Sequence, residues 1–206
     1  MLLLVALVLT GFYQSYFGQF PDFKEPTALS RSHISIFDHI HAASASLWIL
    51  ILIIQPFLIS YGKFKIHRLI GKLSYLAFPI MILSFLPLIV RIIHSPMPIL
   101  AYHPSADCVL LILFYSLAIY HRKNTPYHMR YMIGTATVFL GPTLGRIGNH
   151  LLHLNPPLTQ NLHYVLAYFI LVGLLLLDRK HGRDLKPYSL VLAGTVFHQL
   201  LFILLL

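Results

Sequence analysis

Apolar runs of membrane-crossing length dominate this chain, at 2–18, 37–59, 69–93, 106–120, 129–151, 161–178 and 188–206. A backbone entering hydrocarbon must satisfy its own amide groups, so such runs fold as helices. The breaks between them hold turn-forming and charged stretches, among them "QFPDFKEP", "YGKFKIHR", "HSPMP", "HRKNTPYH", "NPPLTQ" and "DRKHGRDLKP". The sequence therefore predicts an all-α integral membrane bundle of seven transmembrane helices. With 57% hydrophobic and 10% charged residues, a soluble domain could not hide this much apolar surface. No repeat, low-complexity tract or soluble domain is visible, so 1–206 reads as one seven-span domain.

Charge sets the expected orientation. Seven crossings put the termini on opposite sides. With the N-terminus inside, Lys63, Lys65, Arg68, Lys72, Arg122, Lys123, Arg130, Arg179, Lys180, Arg183 and Lys186 face the cytoplasm, eleven of the fifteen Lys and Arg residues. Only Lys24, Arg31, Arg91 and Arg146 then lie outward. The positive-inside rule favours this N-in/C-out arrangement. The net charge of +9 is accounted for in this way, so the expected partner is the lipid bilayer and not nucleic acid. The opening "MLLLVALVLTGFYQSYFGQF" lacks a charged leader and a small-residue cleavage site, and reads as a retained first span. A single cysteine, Cys108, excludes an intramolecular disulfide, a Cys-based zinc site and an iron–sulfur cluster.

In an apolar helix the few polar residues that share a stripe mark function. In "YHMRYMIGTATVFLGPTLGRIGNHLLH" (127–153), His128 and Arg146 face alike at 100° per residue, and His150 and His153 join them. Gly134, Gly141, Gly145 and Gly148 lie on another face, whose Gly141–Gly145 pair would admit a close neighbour within the bundle or from another copy. Pro142 should kink this span or free a carbonyl. In the second span Asp38, His41, Trp48 and Gln55 form one stripe, with His39 off it toward the next helix. In the third, His67, Gly71, Ser74 and Phe78 share a face. Spans 37–59, 69–93 and 129–151 are thus the expected core seam. Asp107 is a candidate partner for an outer histidine, and His198 lies about 15 Å into its span, near the midplane. The loop histidines His33, His103, His121 and His181 read as solvated, and Arg130 and Lys72 as anchors to lipid headgroups.

The segments "HIHAASASLW…Q", "HRLIGKLSY" and "YHMRYMIGTATVFLGPTLGRI" resemble an uncharacterised bacterial family of multi-span membrane proteins, a domain of unknown function. That family shows a His-bearing span, then H-R-x-x-G-[RK]-x-x-Y, then H-x-[RW]-x-M ending in an arginine. The matching positions here are His41, His67, Arg68, Gly71, Tyr75, His128, Arg130, Met132 and Arg146, across residues 37–147. The resemblance implies a bacterial inner-membrane bundle and supplies no activity.

Three function classes fit these residues, and they leave open whether the chain is an enzyme. The leading expectation is an electron-transfer protein holding b-type haem, with a quinone or protein redox partner. His67 and His128 would form an inner ligand pair and His41 with His150 or His153 an outer one, with Arg68 and Arg146 available for propionates. His128 and His150 are about 33 Å apart along one helix, more than two stacked haems need. The second is a zinc or other transition-metal membrane hydrolase. Its ligands would come from His39, His41, His150, His153 and Asp38, with His163 nearby. No H-E-x-x-H, G-x-S-x-G or phosphate-loop motif accompanies them. The third is a cofactor-free transporter, proton relay or assembly factor, with Asp38, Gln55, Arg146 and His198 along a polar path.

Overall fold

The computed structural model describes residues 2–22 and 34–205; Lys24, Arg31 and His33 lie outside them. No strand forms among the described residues. The α-helices are α1 (Leu2–Tyr13), α2 (Ile36–Ser60), α3 (Phe64–Ile93), α4 (Tyr102–Tyr120), α5 (Thr125–Val138), α6 (Leu140–Arg146), α7 (Pro156–Lys180) and α8 (Lys186–Leu205). Five stretches are long and apolar enough to cross a membrane: Ile36–Ser60, Phe64–Ile93, Pro98–Tyr120, Leu158–Lys180 and Lys186–Leu205. Only 22% to 33% of each apolar window is buried inside the protein. Leu76, Val109, Phe169 and Leu204 point outward, a distribution that suits lipid and not water as the surrounding solvent.

Two expected spans depart from the prediction. The run 2–18 is α-helical only to Tyr13, with a short 3-10 turn at Phe17–Gln19, and twelve residues make about 18 Å of helix against a hydrocarbon layer of about 30 Å. The run 129–151 is broken. Pro142 has no N–H to give the Val138 carbonyl, and α5 ends at Val138. The chain resumes as α6 and then widens into a π turn over Ile147–Leu151, where the Leu152 N–H reaches the Ile147 carbonyl at 3.0 Å. A uniform 100° count from His128 to His153 therefore fails. His153 lies past the π turn with a positive φ of 49°.

The chain packs as two compact units, one from Met1–Leu9 and Tyr13–Ser105, the other from Thr10–Phe12 and Ala106–Leu206. In the first unit, Ser35 and Asp38 form a capping box at the start of α2. The turn after α2 contains Gly62, whose φ of 67° only glycine adopts without strain. The predicted stripe on α2 then meets α3 in antiparallel register. Asp38 meets Arg91, His41 meets Ser84, Trp48 packs on Phe78 and Gln55 reaches His67. The α2 stripe and the α3 face are two sides of one contact.

The second unit centres on Phe114 and Ala118 of α4, Tyr131 of α5, Leu171 of α7, and Tyr188 and Val191 of α8. Its tight glycines are not the predicted G-x-x-x-G pair. A methyl group on Gly134 would sit 2.8 Å from Val191 Cγ2 and 3.3 Å from the Phe114 ring, and one on Gly148 2.7 Å from Thr159. One on Gly141 would make ordinary contact with His163, and one on Gly145 would meet nothing within 4 Å. The break after Val138 re-aims the later glycines. Gly134→Ala should destabilise the protein by about 1–3 kcal/mol, because Val191 is buried and stiff. Gly145→Ala should fall within about 0.5 kcal/mol of the parent or gain slightly. Denaturant titration in mixed micelles compares the two.

Candidate functional site

The second unit places an acid, an imidazole and a phenol in line between three apolar helices. Asp107 lies one turn into α4, Tyr164 in the first half of α7, and His198 well inside α8. The Tyr164 hydroxyl is 2.6 Å from His198 Nδ1, and His198 Nε2 is 3.5 Å from Asp107 Oδ1. Tyr164 is 1% exposed and His198 5%, so these two are shielded, while the Asp107 side chain at the end of the line is 15% exposed. The His163 ring lies tilted against that of Tyr164, at 39° with ring centroids 3.8 Å apart. Beside it, Tyr168 donates to Gln199 Oε1 at 2.5 Å, and Gln199 Nε2 donates to Asn161 Oδ1 at 3.0 Å. Polar groups cluster here because hydrocarbon offers them no other partner. An imidazole with a different group at each nitrogen can accept a proton on one and release it from the other.

A second buried pair holds the same unit together. Arg130 Nε donates to Asp178 Oδ2 at 2.6 Å and Nη2 donates to Oδ1 at 2.7 Å, both side chains being 4% exposed. Arg130 Nη1 caps the Pro126 carbonyl at 2.8 Å, and its guanidinium lies 5.6 Å from the centre of the Tyr188 ring. This two-pronged geometry is the strongest an arginine makes with a carboxylate. Arg130 is thus a tie between α5 and α7, correcting its reading as a headgroup anchor. Nearby, the Tyr127 hydroxyl donates to Asp184, and that bond holds the exposed Asp184 carboxyl below its ordinary range.

The residues singled out from sequence fall in both units. In the first, Arg91 donates to both Asp38 oxygens, at 2.7 Å through Nη1 and at closer range through Nη2, and Ser35 donates to Oδ2 at 2.8 Å. His39 Nδ1 lies 2.8 Å from the Tyr16 hydroxyl, so its partner precedes α2. His41 Nδ1 meets Ser84 Oγ at 2.9 Å, and its ring stands edge-on to Phe85. His67 is half-buried, its carbonyl accepting from Gln55 at 3.2 Å, while exposed Arg68 bonds to its own helix at Phe64. In the second unit, His128 Nδ1 donates to the Ala118 carbonyl at 2.8 Å. Arg146 Nη1 donates to the Pro142 carbonyl at 2.9 Å, with Phe12 under its guanidinium at 4.0 Å. His150 is half-buried and His153 exposed. Among the described residues no three His, Cys, Asp or Glu side chains are grouped as a metal-ligand set.

Sequence reasoning missed Tyr164 and Asp178. Their signals were slight: a tyrosine in a leucine-rich span, and one of six acidic residues at a span's end. Asp107 does pair with a histidine, but with the deep His198 and not one at the outer edge.

No family model, curated protein or solved structure matches the chain. The resemblance of the H-R-x-x-G and H-x-R-x-M elements to a membrane family thus rests on those motifs alone.

Removing one partner of the Arg130–Asp178 pair leaves a buried unpaired charge. Asp178→Ala should cost about 3–5 kcal/mol, and the double change Arg130→Met with Asp178→Leu much less. Unfolding in mixed micelles reads both.

Proposed function

We propose that this chain is a seven-span inner-membrane protein, N-in and C-out, that moves protons along Asp107, His198 and Tyr164. The broken α5–α6 segment supplies the fifth crossing on this reading, and α1 with the residues after it the first. Support for the orientation comes from the eleven basic residues that it gathers on one face. The bacterial inner membrane is favoured by the family resemblance.

The observation that carries the relay is the line of acid, imidazole and phenol inside an apolar bundle. In one state Asp107 is ionised, His198 holds its proton on Nε2, and the Tyr164 hydroxyl donates to Nδ1. A proton delivered from the Tyr164 side enters at Nδ1 while the Nε2 proton passes to Asp107. Loss of that proton from Asp107 and tautomer exchange at His198 restore the start. At 3.5 Å the Asp107 contact is longer than a hydrogen bond, so closing that gap, or a bridging water, controls the transfer.

Proton flux into dye-loaded proteoliposomes tests this. Asp107→Asn and His198→Ala should each lower the rate about tenfold or more, and Tyr164→Phe less, since its ring still fills the site. His121→Ala is the loop control. An Asp107→Asn protein at full rate would remove the proposal.

A second reading, redox chemistry with haem, is favoured by His128. Its Nδ1–H is fixed on the Ala118 carbonyl, which leaves Nε2 as the ligand atom, the usual arrangement of a metal-bound histidine. A b-type haem held there would supply one-electron chemistry. The same bond also caps the last carbonyls of α4, which is sufficient reason for it. Protein made with ample haem should show a shifting Soret band and sharp α and β bands on dithionite reduction, weakened in His128→Ala. A featureless spectrum removes this reading.

A further inference from the structure

We propose that the exposed face of α3 holds an anionic phospholipid, its headgroup on Lys65, Arg68 and Lys72 and its chains along the leucines that follow. This site is independent of the proton relay. At 100° per residue the three cations fall within about 60° of one another, and helix neighbours three or four residues apart lie about 5–6 Å apart at Cβ. All three are exposed. The buried residues Ser74, Phe78, Met81 and Phe85 lie about half a turn round the same helix. Arg68 Nε donates to the Phe64 carbonyl at 3.3 Å, which turns its side chain back toward the first turn of α3.

Among the described residues no carboxylate neutralises these groups. The ion pairs join Asp38 to Arg91, Asp178 to Arg130 and Arg183, and Asp107 to His198. The sequence has no Asp or Glu between Asp38 and Asp107, and Arg91 holds Asp38 at the other end of the α2–α3 hairpin. Beyond the cations the same face turns apolar. Leu69, Leu76, Leu83 and Val90 recur every seven residues and are 53% to 66% exposed. From Lys72 to Leu83 the helix rises about 17 Å, close to the half-thickness of about 15 Å of the hydrocarbon layer. A positive head above an apolar track is complementary to an anionic lipid. A soluble phosphate leaves the leucines uncovered. A second copy, inserted the same way round and packed through this face, sets its own three cations against these, and like charges oppose that pairing.

Native mass spectrometry of the full chain, released from neutral detergent doped with phosphatidylglycerol or phosphatidylcholine, counts the bound lipid. The parent should retain phosphatidylglycerol at concentrations about tenfold lower than phosphatidylcholine. Lys65→Gln with Arg68→Gln and Lys72→Gln should remove that preference, and Arg68→Gln or Lys72→Gln alone should reduce it about threefold. Lys63→Gln takes an equal charge from the N-cap of α3, outside the stripe, and should leave the preference unchanged. Equal retention of the two lipids by the parent overturns the proposal, as does an equal loss in Lys63→Gln, which would mean charge attraction without a site. Full competition by glycerol phosphate at the same concentration also overturns it, because that ligand has no chains to lie on the leucines. So does a dimer that excludes phosphatidylglycerol. Should the triple variant fail to fold, the single variants decide.

Discussion

Carboxylates that meet bases from other helices hold this protein together. In water an ion pair contributes little, but between apolar helices the lone charge is the costly state, so each acid demands its partner. Arg130 and Asp178 satisfy that demand fully, with two short bonds and almost no exposure. Once they meet, α5 and α7 are in fixed register and Tyr188 of α8 is brought over the guanidinium. Asp38 and Arg91 do the same for the ends of α2 and α3. Helix packing then fills in around these fixed points, with Trp48 on Phe78 in one unit and Phe114 against Val191 and Gly134 in the other.

Asp107 differs in the quality of its partner. Its contact with His198 is long, and an imidazole is a conditional cation where arginine is a permanent one. An acid tied to arginine is locked as an anion, whereas an acid facing histidine has a partner that can itself take up or release a proton. On the proposed reading, the same fold contains structural carboxylates and one that exchanges protons.

Much of the architecture was legible in the sequence. The apolar runs gave the five long helices, although α3, α4 and α7 begin four or five residues before them, where polar residues open the helix. The stripe of Asp38, His41, Trp48 and Gln55 was read as one face, and α3 is what it meets. The break at Val138 followed from Pro142, but its consequence did not. Every angle counted beyond it assumed 3.6 residues per turn, and the π turn over Ile147–Leu151 shifted the later residues. The site itself was half legible. His198 and Asp107 stood out as rare polar residues, yet 91 positions separate them. Tyr164 carries only a slight signal in a span rich in aromatic and aliphatic side chains, and the pairing of Arg130 with Asp178 is a matter of tertiary register that no local pattern encodes.

The central claim is that His198 exchanges protons between two partners, and nitrogen-15 NMR of its labelled ring in lipid tests it most directly. The account predicts that both ring nitrogens show hydrogen-bonded, exchanging signals, and that Asp107→Asn shifts Nε2 and slows the exchange. A single fixed tautomer, unchanged by Asp107→Asn, would contradict it and leave His198 as a packed structural histidine.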